Sequence, residues 1–386
     1  MQALLFKEEI IVGKTAKPVA MAKHRSGTKD AISRYSNLKM NLNNDKIYNG
    51  NWFEVDTMNV SASGTPLNFI DLFSGAGGIS VGVRSAGFNK IASVEIDSDA
   101  SNTIRKNFPE SVHFEMPIED LSEEMLDKAL NSRKVDVIFG GPPCQGFSVA
   151  GLRNPNDPRN QLFKEYIRIV KHTMPDYVVL ENVPGILTME QGKVYQEIIN
   201  QFAEIGYPDM SVRILEAATF GVPQLRTRAI FIANRLGLKN PYPKEIFDKK
   251  TYKSMKSAID DLKTVPRFGL ANHEWTKHSE EFEARIAEVP FGGSLYETFR
   301  DAFKRQYPNV PSMTCKENHG GCHIHYELNR VISAREMARL QTFPDDFIFT
   351  GTFKRAYWQI GNAVPSLMAK HIALAIKSEL NKLILQ

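Results

Sequence analysis

Apolar runs alternate with amphipathic segments between Leu67 and Asn234, and this alternation is the main structural signal in the chain. Short apolar runs bounded by turn-forming residues predict buried strands, whereas apolar positions repeating every three or four residues predict helices. The predicted strands cover 67–73, 90–96, 135–141, 176–182, 212–215 and 229–233, and the predicted helices cover 98–107, 161–172 and 193–204. Strands that alternate with helices predict an α/β fold with a doubly wound, mostly parallel sheet.

The alternation stops near Asn234, and the following stretch is rich in Pro, Gly and His. Helical spacing returns at 333–341 and 366–380, so we expect the end of the chain to rejoin the first domain. The predicted organisation is an N-terminal extension over 1–66, a main domain formed by 67–235 and 330–386, and a smaller inserted domain over 236–329.

The N-terminal extension is basic between Lys14 and Lys39, where seven Lys or Arg residues face a single acid, Asp30. Periodicity is weak there, which is typical of a solvated arm. The same charge would also suit an arm that contacts phosphates. Both interpretations stay open at this stage.

Composition narrows the class of protein. The chain has 386 residues with a net charge of +4, which permits a polyanionic partner without requiring one. Three cysteines, Cys144, Cys315 and Cys322, are too few for a disulfide framework and favour a reducing compartment. We see neither an apolar run of the roughly 20 residues that would span a membrane nor a convincing signal peptide, so we expect a soluble cytoplasmic protein.

A glycine-rich turn follows the first predicted strand, from Phe73 to Gly78, and Glu95 ends the second. Ligands bind open α/β sheets at the carboxyl ends of the strands, and an acid at this distance from a glycine turn suits two ribose hydroxyls. NAD, FAD and S-adenosylmethionine all fit this pattern. The turn lacks the G-x-G-x-x-G spacing typical of dinucleotide-binding proteins, which makes NAD and FAD less favoured.

Candidate chemistry follows the later strands. Cys144 lies in the segment Gly140–Ser148, where two prolines precede it, and such a loop at the ligand edge favours a reactive thiol over an inert core cysteine. Glu181 ends the strand at 176–182. Arg226 and Arg228 precede the last strand and share one face of an extended chain.

Together these segments resemble the cytosine-C5 DNA methyltransferase family, of the restriction–modification type. The matching text is DLFSGAGG, VEID, GGPPCQGFS, LENV, QLRTR, RVISAREMARLQTFPDDF and GNAVP, which occur in this order from residue 67 to the end. The resemblance implies a Rossmann-like, S-adenosylmethionine-dependent methyltransferase domain. It also implies that the 236–329 insert is a target-recognition domain that reads duplex DNA.

The resemblance assigns roles to individual residues. Cys144 would add to C6 of a flipped cytosine, Glu181 would contact N3 and the exocyclic amine, and Arg226 and Arg228 would hold the base and the adduct. The expected cofactor residues are Phe73, Gly75, Gly78, Glu95, Ile96, Ile118, Pro143, Leu162 and Asn362, with Ile118 preferred because Pro117 occupies the usual place of an acid. The expected DNA contacts are Gln145, Ser148, Arg159, Gln224, Lys316 and His319.

Several alternatives remain open. A zinc site formed by Cys315, Cys322, His323 and His325 competes with a base-reading loop and with a polar loop, although the spacing fits no standard zinc finger and we expect no metal. The enzyme could modify cytosine in tRNA, or regulate as a DNA-binding protein in addition to catalysis. A dehydrogenase on the same scaffold is a more distant alternative. We expect the protein to be a monomer. If a partner nuclease exists, we expect the two proteins to be linked by function without forming a physical complex.

Overall fold

The structure is a computed structural model and describes residues 50–64, 66–143, 161–298, 302–317 and 323–384. Its strands are β1 (Trp52–Val55), β2 (Leu67–Leu72), β3 (Phe88–Glu95), β4 (Val112–Glu115), β5 (Val137–Gly140), β6 (Tyr177–Asn182), β7 (Ser211–Glu216), β8 (Thr227–Asn234), β9 (Asn240–Pro243), β10 (Lys304–Arg305) and β11 (His323–Ile324). Its helices are α1 (Gly78–Ser85), α2 (Ser98–Asn107), α3 (Glu123–Leu130), α4 (Gln161–Thr173), α5 (Lys193–Glu204), α6 (Met255–Ile259), α7 (Glu280–Ala287), α8 (Ala334–Leu340), α9 (Phe353–Asn362) and α10 (Ser366–Ile384).

A seven-stranded sheet with the order β4-β3-β2-β5-β6-β8-β7 forms the centre of the main domain. The pairs from β4 to β6 are parallel, whereas β8 runs antiparallel to both of its neighbours. The link between β7 and β8 carries only a 3-10 turn, Ala217–Phe220, and a parallel return requires a longer crossover. The predicted doubly wound, mostly parallel sheet is confirmed.

Side chains alternate between the two faces of the sheet, and each face has its own core. On β2, Ile70 and Leu72 pack into one cluster with α3, α4 and α5, while Phe69 faces the other cluster with α10. A sheet covered on both faces explains why its strands read as continuous apolar runs in the sequence. The sequence did not reveal β4 or α3, which are short and partly exposed, nor α9.

Segments flanking the sheet pack against the main domain. Strand β1 pairs in parallel with β9, so part of the predicted N-terminal extension lies beside the start of the predicted insert. The buried Lys377 ammonium on α10 donates hydrogen bonds to the carbonyls of Ala62, Ala86 and Gly87, at 2.6, 3.2 and 3.3 Å. Residues on both sides of the predicted boundaries therefore contribute to one packed unit, and the three-part division stays a prediction.

A third core cluster joins the C-terminal segment to the insert: residues of α6 pack with those of α8 and α9. The part of the insert beyond it has a small cluster of its own, with Ile286, Val289 and Ile324 fully or almost fully buried. Ser333 and Glu336 form a capping box that starts α8. Within the residues that the structure describes, no helix is both long and apolar enough to cross a bilayer.

Candidate active site at the carboxyl edge of the sheet

The parallel strands β2, β3, β5 and β6 all end at one edge of the sheet, and the antiparallel β8 begins there. Parallel strands of an open sheet place the loops that follow them on one crevice. The glycine turn, Glu95, the residues before Cys144, Glu181 and the two arginines are therefore brought to the same edge. Cys144, Gln145, Ser148, Arg159 and His319 lie outside the described residues.

The glycine turn adopts a backbone that few side chains tolerate. Gly75 has φ +50°, Gly77 has φ +87°, and the non-glycine Phe73 has φ +56°. A left-handed non-glycine residue costs roughly 1–2 kcal/mol, and such strain is concentrated at ligand sites. An ideal Cβ built on Gly75 would meet no described atom within 4 Å, so the turn leaves an open cradle at the edge of the sheet.

The Glu95 carboxylate spans the gap between β3 and this turn. One oxygen accepts a hydrogen bond from Gly75 N–H at 2.8 Å, and the other accepts from Ile96 and Asp97 N–H at 3.0 and 2.9 Å. Burial nevertheless raises the pKa of Glu95 above its ordinary value. A carboxylate has about four lone-pair directions, so this anchored acid retains capacity for a ribose hydroxyl.

The other expected cofactor residues differ in exposure. Ile96 is 67% exposed immediately after Glu95, which is unusual for a large apolar side chain and leaves an apolar surface beside the acid. Ile118 is buried in the core, so only its backbone is well placed for a ligand. Pro143 and Asn362 are exposed, and Leu162 is half-buried.

Glu181 and Arg228 form an ion pair at the crevice. Arg228 Nε lies 2.6 Å from Glu181 Oε1, and each side chain is 14% exposed. A Cβ on Gly141 would lie 2.9 Å from Glu181 Oε2, so glycine at this position lets the carboxylate lie against the backbone that leads to Cys144. A nearly buried carboxyl group fixed in this way can form a hydrogen bond with a ligand at a defined position.

Asn182 was not among the predicted site residues, but it contacts the backbone that precedes Cys144. Its side-chain amide donates to the Pro142 carbonyl at 2.9 Å, and its side-chain oxygen accepts from Val183 N–H at the same distance. Asn182 is 5% exposed. A polar side chain buried at a strand end requires partners, and the sequence contained that signal in the Glu-Asn-Val segment.

Arg226 and Arg228 have different surroundings in the structure. Arg226, which is expected to hold the cytosine together with Arg228, is 2% exposed and donates to the carbonyls of Cys315 and Gly361, at 2.8 and 3.0 Å. Its Nε is buried without a hydrogen-bond partner among the described residues. Burial lowers the pKa of Arg226 to about 9. Arg226 therefore fastens two backbone segments, whereas Arg228 faces Glu181.

Gln224, which is expected to contact DNA, is fully buried in the structure. Its amide donates to the Leu340 carbonyl and the Gln341 side chain at 3.2 and 3.0 Å, and its oxygen accepts from Cys315 N–H at 2.8 Å. Both its amide nitrogen and its side-chain oxygen have partners inside the protein, and the expected DNA contact stays a prediction. The neighbouring Lys316, by contrast, is exposed.

His323 and His325, near the end of the predicted insert, have hydrogen-bond partners within the protein. His323 Nε2 lies 2.9 Å from the Met313 carbonyl, and His325 Nδ1 accepts from Glu327 and Leu328 N–H at 3.0 and 3.1 Å. Among the described residues no group of three potential metal ligands is found. Cys322, the remaining member of the alternative zinc site, lies outside the described residues.

Comparison with known proteins identifies relatives over most of the chain. The family model described as C-5 cytosine-specific DNA methylase matches residues 67–378. Type II methyltransferase M1.HphI of Haemophilus parahaemolyticus is 41% identical over 325 residues, covering 80% of this chain and 86% of its own. M.DdeI of Desulfomicrobium norvegicum, another type II methyltransferase, is 34% identical over 371 residues, covering 80% and 88%.

Solved structures are similar over the same extent. A protein described as a DNA modification methyltransferase encoded within an E. coli prophage aligns with a TM-score of 0.69 at 30% identity, covering 82% of this chain and 99% of its own. A DNMT2 variant from Spodoptera frugiperda aligns with a TM-score of 0.57 at 21% identity, covering 83% and 100%. At that identity the second likeness shows the fold alone.

Proposed function

This chain belongs to the family of C-5 cytosine-specific DNA methylases, and from that premise we propose how its residues divide the reaction. It is a DNA (cytosine-5)-methyltransferase, and its relatives are type II methyltransferases. The observation that carries the division of roles is the Glu181–Arg228 pair, which lies against the backbone leading to Cys144.

Cys144 is proposed as the nucleophile. Cytosine C5 is a weak nucleophile by itself, and addition of the Cys144 thiolate to C6 converts the ring into an enamine that can attack through C5. After methylation, the C5 proton passes to solvent and the cysteine leaves C6 as a thiolate, which restores the aromatic ring and the free cysteine. C6 is accessible only above or below the ring plane, so the base must leave the helix, at a cost of a few kcal/mol.

Glu181 is proposed to contact N3 and the exocyclic amine of the flipped cytosine. Negative charge develops toward N3 when the thiolate adds, and a hydrogen bond that the Glu181 carboxyl group donates to N3 stabilises it. Arg228 fixes the orientation of Glu181 through the 2.6 Å contact. Arg226 acts on the site indirectly, because its guanidinium holds the backbone of Cys315 and Gly361.

The glycine turn and Glu95 fit S-adenosylmethionine. The open cradle at Gly75 admits a ligand close to the backbone, the Glu95 carboxylate suits the ribose hydroxyls, and the exposed Ile96 suits an adenine ring. We propose that Phe73, Gly78, Ile118 (through its backbone), Pro143, Leu162 and Asn362 complete the site. When bound, the cofactor supplies an electrophilic methyl group on its sulfonium.

We propose that the insert recognises the base sequence of the DNA. Lys316 is exposed and follows the segment that Arg226 and Gln224 hold in place, and His319 lies close to it in sequence. Charged and polar side chains at such a position can contact phosphates or base edges. Gln145, Ser148 and Arg159 are proposed to contact DNA around the flipped base. We further propose that the methylation protects host DNA from a cognate nuclease, in keeping with the type II relatives. We also propose that the enzyme is monomeric.

Trapping the covalent intermediate tests the proposal. Bisulfite sequencing of a plasmid exposed to the protein identifies the modified cytosine, and a duplex carrying 5-fluorocytosine there should form a denaturation-resistant adduct. Cys144→Ser should abolish the adduct and retain DNA affinity, whereas Cys315→Ser, a change at a buried free cysteine, should still form it. An adduct with Cys144→Ser, or methyl transfer to tRNA and none to duplex DNA, would refute the proposal.

A further inference from the structure

The first turn of α9 is fastened to the start of α2 by Arg355. Its Nε lies 2.7 Å from Asp99 Oδ2, and its Nη2 contacts Asp97 Oδ2. The guanidinium also stacks over the Trp358 ring at 4.4 Å. All three charged side chains are between a fifth and a third exposed, so the cluster lies at the surface while being fixed from several directions.

Asp97 connects this cluster to the cofactor acid. Its backbone N–H donates to Glu95 Oε1 at 2.9 Å, and its carboxylate caps α2 by accepting from Ala100 N–H at 2.9 Å. A displacement of Asp97 would therefore remove one of the hydrogen bonds that orient Glu95. Arg355 contacts the other carboxylate oxygen of Asp97, so this side chain caps α2 and holds Arg355 at the same time.

Asp99 connects the same cluster to the segment before α9. A Cβ on Gly351 would lie 2.6 Å from Asp99 Oδ1, and Thr350 Oγ1 donates to the Asp99 carbonyl at 2.9 Å. Gly351 has φ +88°, a conformation that favours glycine. The close packing fixes where α9 begins relative to α2.

Arg355 and Asn362 lie on one face of α9, because seven residues make about two turns of a helix with 3.6 residues per turn. The helix is continuous from Phe353 to Asn362. A clamp at its first turn therefore sets the position of its last residue. The two ends of this connection are Glu95 and Asn362, which are both proposed to bind the cofactor.

We propose that Arg355 is a positioning residue for S-adenosylmethionine, which holds α9 against the Glu95–Asp97 loop so that Glu95 and Asn362 keep their separation. The proposal rests on the cofactor roles given to Glu95 and Asn362. In this proposal Arg355 acts through Asp97 and Asp99. Exposed ion pairs contribute little to folding as a class, so the main effect of this cluster is on ligand affinity.

Arg339 provides a matched control. It lies on α8, is 20% exposed, and also bridges two aspartates, with contacts of 2.6 Å to Asp261 and 2.7 Å to Asp345. Its partners do not include residues of the Glu95–Asp97 loop. Loss of Arg339 therefore reproduces the removal of a surface cluster without disturbing the clamp.

The test measures binding of S-adenosylhomocysteine by calorimetry in Arg355→Met, Arg355→Lys and Arg339→Met. Loss of charge-assisted hydrogen bonds that position Glu95 should weaken binding about tenfold in Arg355→Met, with partial recovery in Arg355→Lys and a change below about twofold in Arg339→Met. The KM for S-adenosylmethionine should rise in parallel, while kcat at saturation stays within about twofold. Thermal unfolding should shift similarly in the two Met variants.

Two outcomes separate this proposal from the function on which it rests. If Glu95→Ala weakens S-adenosylhomocysteine binding while Arg355→Met binds like wild type or like Arg339→Met, the clamp is refuted and the cofactor site stands. If Glu95→Ala leaves binding unchanged, the cofactor assignment fails, and the clamp fails with it. A loss of kcat without a change in KM for Arg355→Met would also overturn the clamp.

Discussion

The packing of α1 against the C-terminal segment offers a sharp test of how the glycine turn is supported. Gly78 and Gly82 are one turn apart on the same face of α1. A Cβ on Gly78 would lie 2.3 Å from the Val364 carbonyl oxygen, and one on Gly82 would lie 2.2 Å from the Ser366 carbonyl oxygen. Both contacts are with backbone, so alanine at either position forces the two segments apart.

The magnitude follows from two opposing terms. Alanine in place of glycine favours a helix interior by up to about 1 kcal/mol, whereas overpacking a well-filled contact costs roughly 1–3 kcal/mol. An approach of 2.2–2.3 Å to backbone oxygen is at the severe end of that range. We therefore expect both Gly78→Ala and Gly82→Ala to lower the free energy of unfolding by about 1–2 kcal/mol.

The two variants should differ in cofactor affinity. The Gly78 contact is with Ala363 and Val364, which directly follow Asn362, whereas the Gly82 contact is with Ser366 and Ala369 inside α10. Gly78 is itself proposed to line the cofactor site, so displacement there and next to Asn362 should weaken S-adenosylhomocysteine binding about tenfold, which corresponds to about 1.4 kcal/mol. Displacement at Gly82 should change that affinity by less than about twofold.

Urea unfolding and calorimetry measure these two quantities independently. Gly185→Ala is the matched control, because its Cβ would meet no described atom within 4 Å and its stability should stay near wild type. Equal losses of affinity in Gly78→Ala and Gly82→Ala would refute the local coupling between α1 and Asn362. Wild-type stability in both variants would show that the close packing of α1 is wrong.

Three further predictions concern the ionisable groups. Glu181→Gln removes a charge-stabilising group and should lower kcat by roughly 10²–10³-fold, while the affinity for S-adenosylhomocysteine stays near wild type. Single-turnover kinetics and calorimetry measure the two quantities, and an unchanged kcat would contradict the role at N3. Arg226→Met leaves two backbone carbonyls without their donor and should lower unfolding stability in urea by about 2–4 kcal/mol; a loss below about 0.5 kcal/mol would contradict the fastening role. Burial lowers the pKa of His325 to about 4, so its contribution to stability is complete above the ordinary value of 6.5 and is lost as pH falls toward 4. Urea unfolding across that range should show a smaller loss for His325→Gln, and identical slopes would count against a neutral buried imidazole.

Much of the main domain could be predicted from the sequence, because a strand buried on both faces and an amphipathic helix each leave a local pattern. The helix at 193–204 has the predicted bounds, and β6 differs from its prediction by one residue. The glycine turn and Glu95 were also recognisable, since a turn after a buried strand and an acid at the next strand end are local features. Family motifs then supplied the chemistry.

Tertiary structure decided what each polar side chain contacts. The hydrogen-bond partners of Arg226, Cys315 and Gly361, lie 89 and 135 residues away in the chain, and no local pattern indicates them. Arg355 showed no pattern at all, and its contacts to Asp97 and Asp99 span more than 250 residues. Hydrophobic periodicity records only which face of an element is buried, so a charged residue's partner is fixed only when distant elements pack together.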